Sequence, residues 1–219
     1  MKLWLDTANI EEIREINAWG VLSGITTNPT LAGKEGVPFE QLLKEIATEV
    51  DGPVSGEVVA TDRKGMVEEG LKIAAIAPNL IVKCPVTPDG YAAVTELTKK
   101  GIKTNMTLCF TATQAILAAE AGATYISPFL GRVDDIGNDG INLLAEIVEI
   151  YRTQGYKTLV LAASLRSPQH VVDSAKVGAD VATMPYKVFR DLVKHPLTDI
   201  GLERFLSDWQ AYQKKLGNA

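Results

Sequence analysis

The chain has 219 residues, 46% apolar and 22% charged, with a formal net charge of -5. That length fits one domain able to bury a sizeable core without staples. The acidic balance argues against nucleic acid or an anionic membrane as main partner, and leaves room for a local basic pocket.

Short apolar runs alternate with longer amphipathic stretches. Leu3-Trp4-Leu5 reads as a strand, and Ile10 to Trp19 as a helix capped by Asn9. Gly24-Ile25-Thr26 is a short second strand, followed by a helix over Phe39 to Val50. Val54 to Val59 is a strand, and Asp62 to Ala77 a helix capped by Asp62. Leu80 to Lys83 is a strand, and Tyr91 to Lys100 a helix stopped by Gly101. Strand Lys103–Met106, helix Thr111–Ala121 and strand Tyr125–Ser127 follow. Gly140 to Gln154 carries Ile141, Leu144, Ile147, Val148 and Tyr151 at helical spacing. Strand Thr158–Ala162, helix Pro168–Val177, strand Asp180–Thr183 and helix Tyr186–Val193 complete the alternation.

Eight strand signals, most followed by a helix, predict a parallel sheet. Without a Gly-rich dinucleotide fingerprint, a closed (β/α)8 TIM barrel is favoured over an open doubly wound sheet. The short second strand leaves a count of seven or nine as the rival. The reading is α/β, one domain over 1–219, with an extra C-terminal helix over 202–216. That helix carries a stripe of Phe205, Trp209, Tyr212 and Leu216, which needs a cover: its own barrel or a neighbouring subunit.

Cys84 and Cys109 form no CxxC or metal-type cluster and read as reduced, buried thiols. His170 and His195 have no His or Cys nearby and read as surface residues, so no zinc site is predicted. Asp6 interrupts the first apolar run, which reads as no signal peptide. No apolar run approaches membrane-spanning length, and a cytoplasmic protein is expected.

In a barrel the site forms at the C-terminal ends of the strands. Polar residues gather there: Asp6, Thr26 and Asn28, Glu57, Lys83, Asn105 and Thr107, Ser127 with Phe129 and Arg132, then Ser164 and Arg166. Lys83 ends an apolar strand. Desolvation there would lower the amine's pKa and leave more of the neutral nucleophile for Schiff-base chemistry, while a carboxylate would pull the other way. A strand-end lysine reaching solvent is the plainer alternative. Asp6 and Glu57 suit a division of base and acid work. The plainer alternatives are a turn cap at Asp6 and an ion pair of Glu57 with Lys83. Arg132, Ser164 and Arg166 suit phosphate, since arginine forks bind it in bidentate fashion. Their alternative is pairing with Asp134 or Asp135, weighed less heavily for Arg166.

Five runs, in order, resemble the transaldolase family: Leu5-Asp6-Thr7-Ala8, Gly24-Ile25-Thr26-Thr27-Asn28-Pro29-Thr30, Val82-Lys83-Cys84-Pro85, Thr104-Asn105-Met106-Thr107-Leu108 and Ser127-Pro128-Phe129-Leu130-Gly131-Arg132. The resemblance spans nearly the whole chain, at the length of short bacterial and archaeal members. It implies a cofactor-free barrel moving a dihydroxyacetone unit between sugar phosphates. Sedoheptulose 7-phosphate and glyceraldehyde 3-phosphate would give erythrose 4-phosphate and fructose 6-phosphate, in the pentose phosphate pathway. By that analogy Lys83 attacks the ketone, Asp6 takes the C4 hydroxyl proton, and Glu57 and Thr107 hold a proton-shuttling water. Asn28 and Asn105 would bind hydroxyls, Ser127 the dihydroxyacetone end, and Arg132, Ser164 and Arg166 the phosphate. Thr26 joins the substrate-binding set.

The same family contains fructose-6-phosphate aldolases, the nearest alternative. They typically carry Gln where this chain has Glu57 and Tyr where it has Phe129, so both positions read as transaldolase. A non-catalytic sugar-phosphate binding barrel is the remote alternative. An unrelated Schiff-base aldolase or phosphate-binding isomerase barrel is disfavoured by the order of the motifs. Cys84 departs from the family's branched aliphatic residue, and strand alternation points it toward the helices. The resemblance also implies a homo-oligomer, a pentamer or decamer.

Overall fold

A computed structural model describes residues 1–217. The strands are β1 (Lys2–Asp6), β2 (Ile25–Thr26), β3 (Val54–Glu57), β4 (Leu80–Pro85), β5 (Thr104–Cys109), β6 (Tyr125–Pro128), β7 (Leu159–Ala162) and β8 (Val181–Pro185). Every neighbouring pair is parallel, and β8 pairs back onto β1, so the sheet closes into the expected eight-stranded barrel. The rival counts fall away: β2 is two residues long, yet it joins β1 and β3 in register.

The helices are α1 (Ile10–Asn17), α2 (Pro29–Glu35), α3 (Phe39–Glu49), α4 (Arg63–Ile76), α5 (Pro88–Lys99), α6 (Ala112–Glu120), α7 (Leu130–Asp135), α8 (Gly140–Gln154), α9 (Pro168–Val177), α10 (Tyr186–Asp191) and α11 (Pro196–Gly217). Their starts follow local capping chemistry. Asn9 accepts from the amides of Glu11 and Glu12, and Asp62 from that of Gly65. Thr111 and Gln114 form a reciprocal capping box at α6. Gly101, at φ 77°, sits just past α5, as its sequence position predicts.

Strand alternation separates two cores. Val82 and Cys84 of β4 pack outward with the helix-facing cluster, while Ile81 packs inside the barrel. The barrel interior is plugged at its lower level by Trp4, Ile81, Tyr125, Leu161 and Val181. Trp4 and Tyr125 lie 5.2 Å apart, centroid to centroid, in a tilted pair. The next inward layer is polar, and it opens at the strand C-terminal ends.

Two short helices escaped the periodicity reading. α2 and α7, of seven and six residues, are too short to show a helical stripe. α11 begins at Pro196, earlier than the predicted 202, because proline suits a helix start. None of its residues is buried: Phe205 is 72% exposed and Trp209 56%. The barrel leaves the aromatic stripe uncovered in this structure. No helix among the described residues is long and apolar enough to cross a membrane.

Candidate active site

Lys83 is fixed by its strand. Parallel pairing sets it opposite Glu57 on β3 and Asn105 on β5. The side chain points inward and is 6% exposed, so it does not reach bulk solvent. Its Nζ lies 2.9 Å from Glu57 Oε2 and donates to the Thr27 carbonyl at 3.0 Å. Both the inward lysine and the ion pair with Glu57, alternatives in sequence, are present together.

Asp6 ends β1 opposite Thr26 on β2. The Thr26 hydroxyl donates to Asp6 Oδ1 at 2.8 Å and lies 2.7 Å from the hydroxyl of Thr183 on β8. Burial pushes the Asp6 carboxyl above its ordinary value, while the Lys83 charge and the Thr26 hydrogen bond pull it back. Asp6 is thus bonded within the barrel and is not a cap on the following turn; Asn9 does that work.

Asn105 lies beneath the cavity, fully buried. Ser127 Oγ donates to its Oδ1 at 2.8 Å, and its Nδ2 donates to Ser55 Oγ at 3.3 Å. Those two bonds set which way the amide faces. Two residues further up β5, the Thr107 hydroxyl is buried without a partner among the described residues. A bulge between Met106 and Cys109 follows, with Leu108 at φ 60°. A bulge re-aims side chains, and this one lets both Thr107 and Leu108 line the cavity.

Above these residues lies a cavity of about 360 Å³. Its wall includes Asp6, Thr26, Asn28, Glu57, Lys83 and Thr107, with Ser127, Phe129, Arg132 and Ser164 opposite. Asn28 spends its Oδ1 on capping α2, through the Leu31 amide at 3.0 Å, so its NH2 is the group left for a ligand. The Arg132 guanidinium stacks 5.0 Å from the Phe129 ring centroid, and Phe110 meets the same ring edge-on. Ser164 is held at φ 59°, with its carbonyl accepting from the Gly131 amide at 3.0 Å. A Cβ at Gly131 would lie 2.4 Å from that oxygen, so only glycine allows the approach. Two non-glycine residues in the left-handed region, Leu108 and Ser164, both line this one cavity.

Two predicted binding residues are outside the cavity wall: Asn105, whose amide is engaged beneath it with Ser127 and Ser55, and Arg166. The Arg166 guanidinium pairs with Asp135 at 2.6 Å. The carboxylate alternative weighed more heavily for Arg132 is realised at Arg166 instead. His170 is half-buried between the Arg166 amide and Asp134, not free on the surface. Sequence reasoning passed over Thr183 and Ser55. Each is a hydroxyl on the inward face of a strand, a signal legible only once the strand register is known. Cys84 and Cys109 are buried, and burial pushes both thiols up to about 12. Among the described residues no three or more His, Cys, Asp or Glu gather as a metal site.

A buried amine touching one carboxylate, with a second carboxylate in the same cavity and an orphaned hydroxyl beside them, can form a covalent bond to a carbonyl and move protons around it. Fold and site together define a (β/α)8-barrel enzyme with a lysine–carboxylate centre. The model of the Transaldolase/Fructose-6-phosphate aldolase family matches residues 3–216, and the chain belongs to that family. It is 56% identical over 215 residues to a probable transaldolase of Clostridium acetobutylicum, covering 98% of this chain and all of the relative. A probable transaldolase of Roseiflexus sp. is 57% identical over 215 residues, covering 98% and 99%. Among solved structures, thiamine phosphate pyrophosphorylase from Pyrococcus furiosus superposes with a TM-score of 0.60 over 87% of this chain and 93% of that one. At 17% identity it shares the fold alone.

Proposed function

We propose that this transaldolase-family enzyme transfers a dihydroxyacetone unit between a ketose phosphate and an aldose phosphate through a Schiff base on Lys83. The donor and acceptor in one direction are sedoheptulose 7-phosphate and glyceraldehyde 3-phosphate. The observation that carries the reading is the buried Lys83–Glu57 pair at 2.9 Å, sharing a cavity with Asp6 and the unpartnered Thr107 hydroxyl.

Lys83 must lose a proton to attack the ketone, and Glu57 is the carboxylate within reach. Glu57, then protonated, returns that proton to the carbinolamine hydroxyl as water leaves. Thr107 is assigned the shuttling water, which would satisfy its otherwise unpartnered hydroxyl. Asp6 accepts the C4 hydroxyl proton as the C3–C4 bond breaks, and the electron pair flows into the iminium. The iminium restores positive charge at the Lys83 nitrogen, which helps keep Asp6 ionised when it must act as base.

Asn28 and Ser127 line the cavity where substrate hydroxyls would sit, and Thr26 holds Asp6. Asn105 acts from beneath, through Ser127. Arg132 and Ser164 are the phosphate ligands at the rim, and Arg166 joins them on leaving Asp135. Phe129 offers no hydroxyl proton to a bound enamine, so the intermediate waits for an acceptor aldehyde. This favours transfer over release of free dihydroxyacetone.

The exposed aromatic stripe of α11 supports a homo-oligomer in which a neighbouring subunit covers it. A small sugar-phosphate substrate fits a cytoplasmic location.

Borohydride with fructose 6-phosphate should trap an adduct on the Lys83 peptide. An unmodified Lys83 peptide would remove the mechanism. Adding erythrose 4-phosphate should then release the bound unit as product. Fast dihydroxyacetone release without any acceptor would make the enzyme an aldolase, and Phe129→Tyr should raise that release.

A further inference from the structure

The Asp6 side chain ends a chain of buried hydroxyls that runs across three strands. Thr26 on β2 donates to Asp6 Oδ1 at 2.8 Å. Thr183 on β8 reaches the same Thr26 oxygen at 2.7 Å. β1 lies between those two strands, so the threonine contact links them around the strand that carries Asp6. Both threonines are 3% exposed, and both line the cavity.

A threonine hydroxyl has one proton. With Asp6 ionised, Thr26 gives its proton to the carboxylate. The Thr183 hydroxyl must therefore supply the proton in the 2.7 Å contact. Direction is fixed along the chain: Thr183 to Thr26 to Asp6. Each donation polarises the next hydroxyl and strengthens its bond to the negative end.

We infer that Thr183 is a positioning residue of this site: acting through Thr26, it holds the Asp6 carboxylate in its ionised, hydrogen-bonded state. The inference rests on Asp6 being the base in the reaction proposed above. If Asp6 gains a proton the chain loses its anionic acceptor, and charge-assisted bonds are about twice as strong as neutral ones. Removing Thr183 therefore weakens the ionised form more than the neutral one.

The charged groups sharing the cavity with Asp6 are Lys83 from β4, Glu57 from β3 and Arg132 from α7. Lys83 lowers the proton affinity of Asp6 from the other side. It pairs with Glu57 and the Thr27 carbonyl, so it makes no bond to the threonine chain. The hydroxyl chain is thus a second, separate support for the same carboxylate.

The test is the titration of Asp6 followed by carboxyl-carbon NMR on the full chain with labelled aspartate, its resonance assigned with D6N. Thr183→Val should raise the Asp6 midpoint by about half a pH unit. Thr183→Ala should do the same, and Thr183→Ser should restore the wild-type midpoint. Adding T183V to T26V should change nothing further, since the chain is already cut. The acid limb of kcat/KM should move with the midpoint, while borohydride trapping at Lys83 stays at wild-type extent. An unmoved midpoint in both T183V and T183A, or shifts from T26V and T183V that simply add, would overturn the inference. A midpoint that moves while the acid limb stays put supports Thr183's hold on Asp6 and counts instead against Asp6 as the catalytic base.

Discussion

Lys83 and Glu57 are register partners on adjacent parallel strands, and their charged ends meet at 2.9 Å inside the barrel. Strand pairing alone brings them together, so no loop needs to close to assemble the pair. Breaking a buried pair by removing one partner leaves an uncompensated charge. Lys83→Met should therefore lower stability by about 3 kcal/mol, as well as abolishing turnover. The double variant K83M/E57Q should recover most of that loss. Urea unfolding compares the two, and equal midpoints for single and double variants would show that the pair carries no such strain.

Asp6 predicts a pH dependence of stability. Burial raises its carboxyl above the ordinary 3.8, more than Lys83 and Thr26 lower it. The folded chain then holds that proton more tightly than the unfolded one, so ionising Asp6 costs stability. The cost is absent well below pH 3.8 and grows as pH rises to the folded value. Asp6→Asn should be more stable than wild type at neutral pH, with the gap closing as pH falls toward 4. Its turnover should drop roughly a hundredfold or more. Melting temperatures across that range decide the matter; a gap of constant size would contradict the burial argument.

Arg132 and Arg166 should separate in kinetics. Arg132 already lines the cavity, stacked on Phe129. Arg132→Ala should raise KM for phosphorylated substrates by about ten- to a hundredfold, with little effect on dihydroxyacetone itself. Arg166 must first leave Asp135. Asp135→Asn should therefore lower KM for the same substrates, provided Arg166 is intact, and the benefit should vanish in D135N/R166A. An unchanged KM in D135N would mean that Arg166 takes no part in phosphate binding.

Both thiols should be inert in the folded protein. Cys84 and Cys109 are buried and pushed up to about 12, so almost no thiolate exists at pH 8. A disulfide exchange reagent should find no fast-reacting thiol in the native chain and both after unfolding. Rapid labelling of Cys84 in the native state would call for a different account of β4.

Gly131 tests the strained rim. Its amide holds the Ser164 carbonyl, and a Cβ there would collide with it. Gly131→Ala should displace Ser164 and weaken sugar-phosphate binding, with trapping at Lys83 by free dihydroxyacetone retained. Loss of both would point to collapse of the barrel rim as a whole.

The outlines of the fold are legible in the sequence because burial on both faces turns barrel strands into short apolar runs. The α8 and α9 boundaries, for instance, match their predicted spans. Lys83 stood out for the same reason: a charge ending such a run has to be explained. α2 and α7 were invisible, since a helix of two turns has no periodicity to display. Arg132 and Arg166 were indistinguishable as types. Only packing decides that one stacks on Phe129 while the other finds Asp135.

Taken alone, the order of apolar runs and polar strand ends determined an eight-fold α/β alternation and the residue types at one barrel mouth. Those features are local, set by side-chain period and propensity along the chain. The tertiary structure decided what no local pattern encodes: the register that faces Glu57 to Lys83, the bulge that frees the Thr107 hydroxyl, and the closure of β8 onto β1 that brings Thr183 to Thr26. Each is a contact between residues distant in sequence, fixed only when the sheet closes and every inward side chain must share one interior.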